Sequence, residues 1–231
     1  MKEHISKQFD AELNALRTSI LQMGGIVEQQ IIWALEALRI KSIAQLNRVI
    51  AKDDQVNEME IAIDEECQRI IARRQPAASD LRMLITISKI TVDLERIGDE
   101  ATKIARLGKH ICQSQQFKSS HIRELQKMGQ LSLDMLKQAL DAFVRIDSSV
   151  VYKLFEADQH LDEDFSNTLR RLVTFMIEDV RVISTAIDVL FIAKAIERIG
   201  DHATNISEYV VFLAQGKDMR HTAPKKKKQP L

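Results

Sequence analysis

Ten residues starting at Glu95, ERIGDEATKI, return from Glu197 as ERIGDHATNI, with eight positions identical at an offset of 102. A chain of 231 residues that writes one charged, glycine-centred phrase twice is built from two copies of one unit. The echo extends beyond the phrase. Gln22-Met23-Gly24 precedes an apolar stretch ending Ala34-Leu35-Glu36-Ala37-Leu38, and Lys127-Met128-Gly129 precedes one ending Ala139-Leu140-Asp141-Ala142-Phe143, at an offset of 105. Asp54-Gln55 and Glu58 match Asp158-Gln159 and Asp162 at an offset of 104. Whatever fold one unit takes, the other takes too, and the drift in offset places short deletions in the loops.

Periodicity identifies the unit. Leu84, Ile87, Leu94, Ile97, Ala101, Ile104, Gly108 and Ile111 follow one another in steps of three, four and seven, a helical seam. A second seam runs Ile183, Ile187, Leu190, Ile196, Ile199, Ala203, Ile206, Val210 and Leu213. No stretch of period-two alternation competes. Only 7 Gly and 3 Pro punctuate the chain, so its elements are long. The sequence predicts an all-α fold of six helices, each about 25–35 residues and about 40–50 Å long.

Breakers place the boundaries. Pro76 disfavours helical geometry in the residue before it and ends one helix, and Ser79 and Asp80 offer caps for the next. Asp147-Ser148-Ser149 and Glu178-Asp179 separate further helices, and the polar run Gln113–Ser120 is the best inter-domain linker. The expected organisation is a three-helix bundle over 1–116, a pseudo-symmetric second bundle over 117–216, and a basic tail over 217–231.

The charged phrase carries the candidate chemistry. Glu95 and Asp99 stand four apart, as do Glu197 and Asp201, so each pair lies on one face of its helix. The second helices repeat the arrangement with Asp54 and Glu58, then Asp158 and Asp162. If second and third helices are neighbours, four carboxylates converge in each half. Such hard oxygen ligands suit Mg²⁺, Mn²⁺, Ca²⁺ or iron. One such pair is common on a solvated face; four pairs on equivalent helices weigh more. Asp158 falls in phase with the apolar seam Val151, Leu154, Leu161, Phe165, where a carboxylate needs a partner. Extending the stripes gives Asn205 and Glu208 in the second half but Lys103 and Arg106 in the first, so the second half is expected to be the better cation site. Gly98 and Gly200 stand mid-helix, which predicts close helix approach, the alternative being space left for an ion or a phosphate group.

Other classes fare worse. Formal charge balances at 33 against 33, so no global field favours nucleic acid. Cys67 and Cys112 are too few for a disulfide framework. The chain carries no Glu-x-x-His for a di-iron site, no phosphate loop and no Cys/His nucleophile pair, so no enzyme is expected. His160 and His202 read as surface or packing residues, and Trp33 as core. No apolar run is long enough to span a bilayer and no leader is visible, so a cytoplasmic location is expected. The lysines 225–228 read as a solvated end, or as a source of weak attraction to an anionic membrane.

The phrases Glu95-Arg96-Ile97-Gly98-Asp99 and Glu197-Arg198-Ile199-Gly200-Asp201-His202-Ala203-Thr204-Asn205-Ile206 resemble the signature of the PhoU family of bacterial phosphate-signalling regulators. The resemblance spans about residues 4–216 and includes Met23-Gly24-Gly25 and Ala62-Ile63-Asp64-Glu65. It implies two three-helix bundles, a homodimer, and no enzymatic activity. It implies negative regulation of the phosphate-starvation response, linking the ATPase subunit of the phosphate ABC transporter to a membrane sensor histidine kinase, with peripheral contact at the cell membrane. Metal ions at the acidic stripes (Mg, Mn, Fe or Ca) are implied at Asp54, Glu58, Glu95, Asp99, Asp158, Asp162, Glu197, Asp201 and Asn205. Lys103 stands where the family has Asn, which argues against metal in the first half. A carboxylate-metal enzyme and a purely structural helical adaptor are the competing readings.

Overall fold

Long uninterrupted helices dominate the computed structural model, which describes residues 2–113, 119–217 and 219. The order is α1 (Lys2–Ile40), α2 (Ile43–Ala51), α3 (Asp53–Arg74), α4 (Ala78–Gln113), α5 (Ser119–Arg145), α6 (Val151–Glu178) and α7 (Ile183–Gln215), with no strand among the described residues. Residues 114–118 of the expected linker and the lysine tail lie outside the described residues.

The helix ends repeat with the sequence. Lys41 and Ile146, 105 apart, both take left-handed backbone with φ of 56° and 54°. The next amides, Ser42 N–H and Asp147 N–H, then close back onto the carbonyls of Ala37 and Ala142, each at 2.9 Å. Ser42 accepts from the Gln45 amide and Asp147 from the Ser149 amide, so in both halves one residue closes a helix with its backbone N–H and caps the next helical turn with its side chain. Gln75, with φ of 48°, stops α3 just before Pro76. α4 begins at Ala78, so Ser79 and Asp80 stand inside its first turn, where Asp80 suits the helix dipole rather than capping from outside.

Six rods were expected, and six are present, but the second is broken at Lys52 into α2 and α3. A contact across the core accompanies the break. Gln30, fully buried on α1, donates from Nε2 to the Val49 carbonyl at 3.4 Å, one turn before the break. The equivalent position on α5 is Met135, which has no such donor, and α6 runs unbroken past the matching point.

Offset 105 also aligns the buried positions of the second rods. Leu46, Val49, Val56, Ile63 and Cys67 correspond to Val151, Leu154, Leu161, Thr168 and Leu172, all buried. The two halves meet along two antiparallel contacts. Between α1 and α5, a Cβ on Gly24 would lie 2.6 Å from Leu140 Cδ1, and one on Gly129 would lie 2.4 Å from Leu35 Cδ1. The two contacts exchange the same residues, as a pseudo-twofold axis requires. Between α4 and α7, Arg198 Nη1 meets Glu100 Oε1 at 2.8 Å, and His202 Nδ1 meets Asp93 Oδ1 at 2.6 Å. One continuous hydrophobic core runs through both halves.

The first expected seam is wholly inside, from Leu84 to Ile111. The second departs at its start. Ile183 and Ile187 are exposed, as is Phe191, because the buried face of α7 there runs through Ala186, Val189, Ile192 and Ala193, out of phase with the expected seam. Close approach at the phrase glycines holds, but unequally. A Cβ on Gly200 would lie 2.4 Å from Leu161 Cδ2, whereas one on Gly98 would meet Val56 at 3.3 Å and Gln30 at 3.4 Å. Alanine gains about 1 kcal/mol of helix propensity at either site. Gly98→Ala should therefore remain within about 1 kcal/mol of wild type, and Gly200→Ala should lose a net 1–2 kcal/mol or so, because fully buried Leu161 must move. Chemical denaturation of both variants checks this; equal stabilities would contradict it.

Candidate acidic cation site

In the phrase Glu197-Arg198-Ile199-Gly200-Asp201, successive residues point to different neighbours. Ile199 is fully buried, Gly200 abuts α6, Arg198 reaches across to α4, and Glu197 and Asp201 share the face toward α6. There they join Asp162, and one carboxylate oxygen from each of the three lies within 4.8 Å of the others. Asp158, one turn earlier on α6, is 4% exposed, as its phase with the seam implied. Three of the expected acids thus converge, with a fourth buried behind them.

The electrostatics of Glu197 record the crowding. Burial pushes its carboxyl above the usual range; a bond from Lys194 pulls it down, while Asp201 and Asp162 push it up again. Lys194 Nζ lies 2.6 Å from Glu197 Oε2, so the second stripe includes a cation that the forward reading of the phrase missed. Reading one turn back from Glu197 would have found it.

Asn205 does not join this group. Its Nδ2 donates to Asp93 Oδ1 at 3.3 Å, beside His202, so it belongs to the contact between halves. Steps of four on a helix drift by about 40° each, so Asn205 lies about 80° around α7 from Glu197, on the side toward α4. His202, expected on the surface or in packing, is a buried partner of Asp93.

The first half holds a looser version. Glu95 is half-buried and Asp99 exposed. Burial raises the Glu95 carboxyl first, then Asp99 and Glu60, with Arg96 opposing and Asp53 adding. Asp53 itself is raised by burial, lowered by a 3.1 Å bond from Thr102 Oγ1, and raised by Asp99. The α3 acids whose charges reach Glu95 are therefore Asp53 and Glu60, while the expected Asp54 and Glu58 are exposed. The cause is register. The offset of 105 pairs Asp53 with Asp158 and Asn57 with Asp162, and a slip of one residue turns a helix by about 100°. The doublet Asp53-Asp54 hid the slip; matching buried positions rather than acidic letters would have exposed it. Asn57 Oδ1 is buried with no hydrogen-bond partner among the described residues. Lys103, expected to neutralise the first stripe, instead bonds Glu100 at 3.2 Å.

The remaining sequence candidates are plain. Cys67 is buried, and burial pushes its thiol up to about 12, so it is unreactive. His160 is exposed, 3.9 Å from Glu163. Trp33 packs against the core. No helix among the described residues is long and apolar enough to cross a membrane.

Comparison with known proteins places this geometry. The PhoU domain family matches residues 20–108 and again 125–210. The chain is 46% identical over 226 residues to the phosphate-specific transport system accessory protein PhoU homolog of Pseudomonas putida, covering 98% of this chain and 88% of that protein. It is 42% identical over 224 residues to the phosphate-specific transport system accessory protein PhoU of Escherichia coli K12, covering 96% and 91%. The crystal structure of PhoU from Pseudomonas aeruginosa superposes with a TM-score of 0.87 at 44% identity, covering 90% of this chain and all of that one. That of the phosphate transport system regulatory protein PhoU from Streptococcus pneumoniae gives 0.84 at 31%, covering 91% and 98%. The chain belongs to the PhoU family.

The raised Glu197 carboxyl has a consequence for stability. A group whose folded pKa exceeds its unfolded value of 4.5 stabilises the fold below that value, and the contribution is lost as pH rises through the folded pKa. Without added cation, Glu197→Gln should therefore raise the neutral-pH Tm by about 2–4 °C and flatten its fall from mildly acid to neutral pH. A fall in Tm would show that the Lys194 bond outweighs burial.

Proposed function

We propose that this chain is a non-enzymatic accessory protein of phosphate-specific transport, holding the phosphate-starvation response off while phosphate is plentiful. Relatedness over nearly the whole chain to proteins named as accessory proteins of that transport system carries the reading. In this reading it works in the cytoplasm, at the inner face of the membrane. It pairs as a homodimer and links the ATPase subunit of the transporter to a sensor histidine kinase. Two observations favour protein partners over a small substrate. The helices present broad faces, and one end of the second half exposes the apolar residues Val173, Ile177, Val180, Ile183, Ile187 and Phe191. The chain is read as two tandem units, 1–116 and 117–216, consistent with the two family matches.

The acidic site would supply the means of regulation. Asp162, Glu197 and Asp201, backed by Asp158, offer hard oxygen donors that fit Mg²⁺, Mn²⁺, Ca²⁺ or iron. The first half offers Glu95 and Asp99 with Asp53, Asn57 and Glu60. A cation supplies charge neutralisation between helices that otherwise repel. It would fix α6 against α7 and so favour one shape of the face shown to the kinase, a bias that needs only a few kcal/mol.

Deleting the chain from its host should make alkaline phosphatase output constitutive in high phosphate, and the intact copy should restore repression. The variant Glu197→Gln/Asp201→Asn should restore it poorly while remaining folded by circular dichroism. Normal repression in the deletion strain would remove the regulatory role. Full repression by the acid variant would favour the structural adaptor.

A further inference from the structure

The second acidic site carries a cation of its own. Lys194 stands one turn before Glu197 on α7 and places Nζ 2.6 Å from Glu197 Oε2. The same ammonium lies 5.3 Å from the centre of the Phe165 ring on α6, three residues beyond Asp162. The Glu197 side chain is only 10% exposed, whereas Lys194 is 42% exposed. A lysine reaching from solvent thus holds the most buried acid of the trio, with an aromatic face beside it. In the first half, Val92 occupies the position equivalent to Lys194.

An ammonium and a metal ion draw on the same carboxylate lone pairs. A monovalent ion replacing Lys194 exchanges one positive charge for another and gains little. A divalent ion adds a net charge among three carboxylates and can bind Asp162 and Asp201 as well. The lysine, displaced, has water and the Phe165 ring to receive it.

We propose that Lys194 is the built-in competitor of the second acidic site. It holds Glu197 in the cation-free protein, and a divalent cation fills the trio only by displacing it. Lys194 thereby sets the cation concentration at which the site responds and discriminates against monovalent ions. The inference rests on the cation reading of the acidic site, and its test separates the two.

Mn²⁺ is titrated calorimetrically, at neutral pH, into full-length wild type, Lys194→Met, Lys194→Arg and Asp162→Asn/Asp201→Asn. Wild type should bind at a site that the double acid variant lacks. Lys194→Met should bind there about three- to tenfold tighter, the scale of one partly exposed ion pair. Lys194→Arg, which keeps the charge, should stay near wild type. In wild type, the Lys194 Hε–Cε NMR signals should shift on adding Mg²⁺, a movement that a purely structural lysine would not show. Melting curves without cation verify folding, and Lys194→Gln replaces Lys194→Met should the latter unfold. If wild type binds no Mn²⁺, or the acid variant retains every site, the cation reading falls and this inference with it. If the acid variant loses the site but Lys194→Met binds no tighter than wild type, the competitor role alone is overturned.

Discussion

The antiparallel packing of α4 against α7 is the constraint on which the rest of the structure depends. These third helices of the two halves are buried along most of their length, with the other helices packed around them. A helix enclosed on nearly every side reads apolar all round, yet here charges are set into the contact. Asp93 is 2% exposed and is held by His202 and Asn205 from the other half. Glu100 is gripped by Arg198 from the other half and Lys103 from its own. Buried ionic pairs add little net stability against an apolar replacement, but they penalise any register that leaves them unpaired. The seam therefore fixes how the halves sit, and with them the direction in which every other residue of the phrase points.

This explains why the phrase recurs nearly unchanged. Five consecutive helical residues fan through more than one full turn. In the second half, its glutamate and aspartate meet α6, its arginine crosses to the opposite half, its isoleucine enters the core, and its glycine admits the neighbouring helix. A residue with that many separate obligations on its immediate neighbours has few acceptable replacements. The first copy keeps the fan with less force: Ile97 is fully buried and Gly98 faces α3, while Arg96 and Asp99 are exposed.

Much of the fold was legible because the signals were redundant. Helical period, scarce breakers and duplication all pointed to the same six rods, and the apolar seam of α4 was read without error from Leu84 to Ile111. What was illegible depended on contacts between distant residues. The break at Lys52 coincides with a contact from Gln30, nineteen positions away from its partner Val49 on another helix. The pairing of Asp93 with His202 spans 109 positions, and the repeat does not announce it, since Asp93 is matched by Ala195 and His202 by Glu100. The acids of α3 were misassigned because carboxylates were matched to carboxylates. Burial repeats more faithfully than charge, since the core must be filled in both halves whereas a surface acid is free to move by one position.

The two halves share a backbone plan but diverge at the positions that face the acidic stripes and the seam. Val92, Glu100, Lys103 and Arg106 of the first half are answered by Lys194, His202, Asn205 and Glu208 in the second. Each exchange alters a charge without disturbing the apolar set, so duplication supplied two copies of a carboxylate frame and later substitution could tune them separately. The outcome is one cluster that is tight, partly buried and internally countered by a lysine, and another that is open and countered mainly by nearby arginines. Tightness and internal countercharge belong together. Three carboxylates within 4.8 Å repel in the absence of a positive charge, so a cluster this compact is eased by a resident one, here Lys194 on Glu197. The looser first site spreads its acids over Glu95, Asp99, Asp53 and Glu60, with Arg96 and Arg106 nearby. On this argument the lysine follows from the compactness of the second site, and the first site, lacking that compactness, needs no counterpart to it.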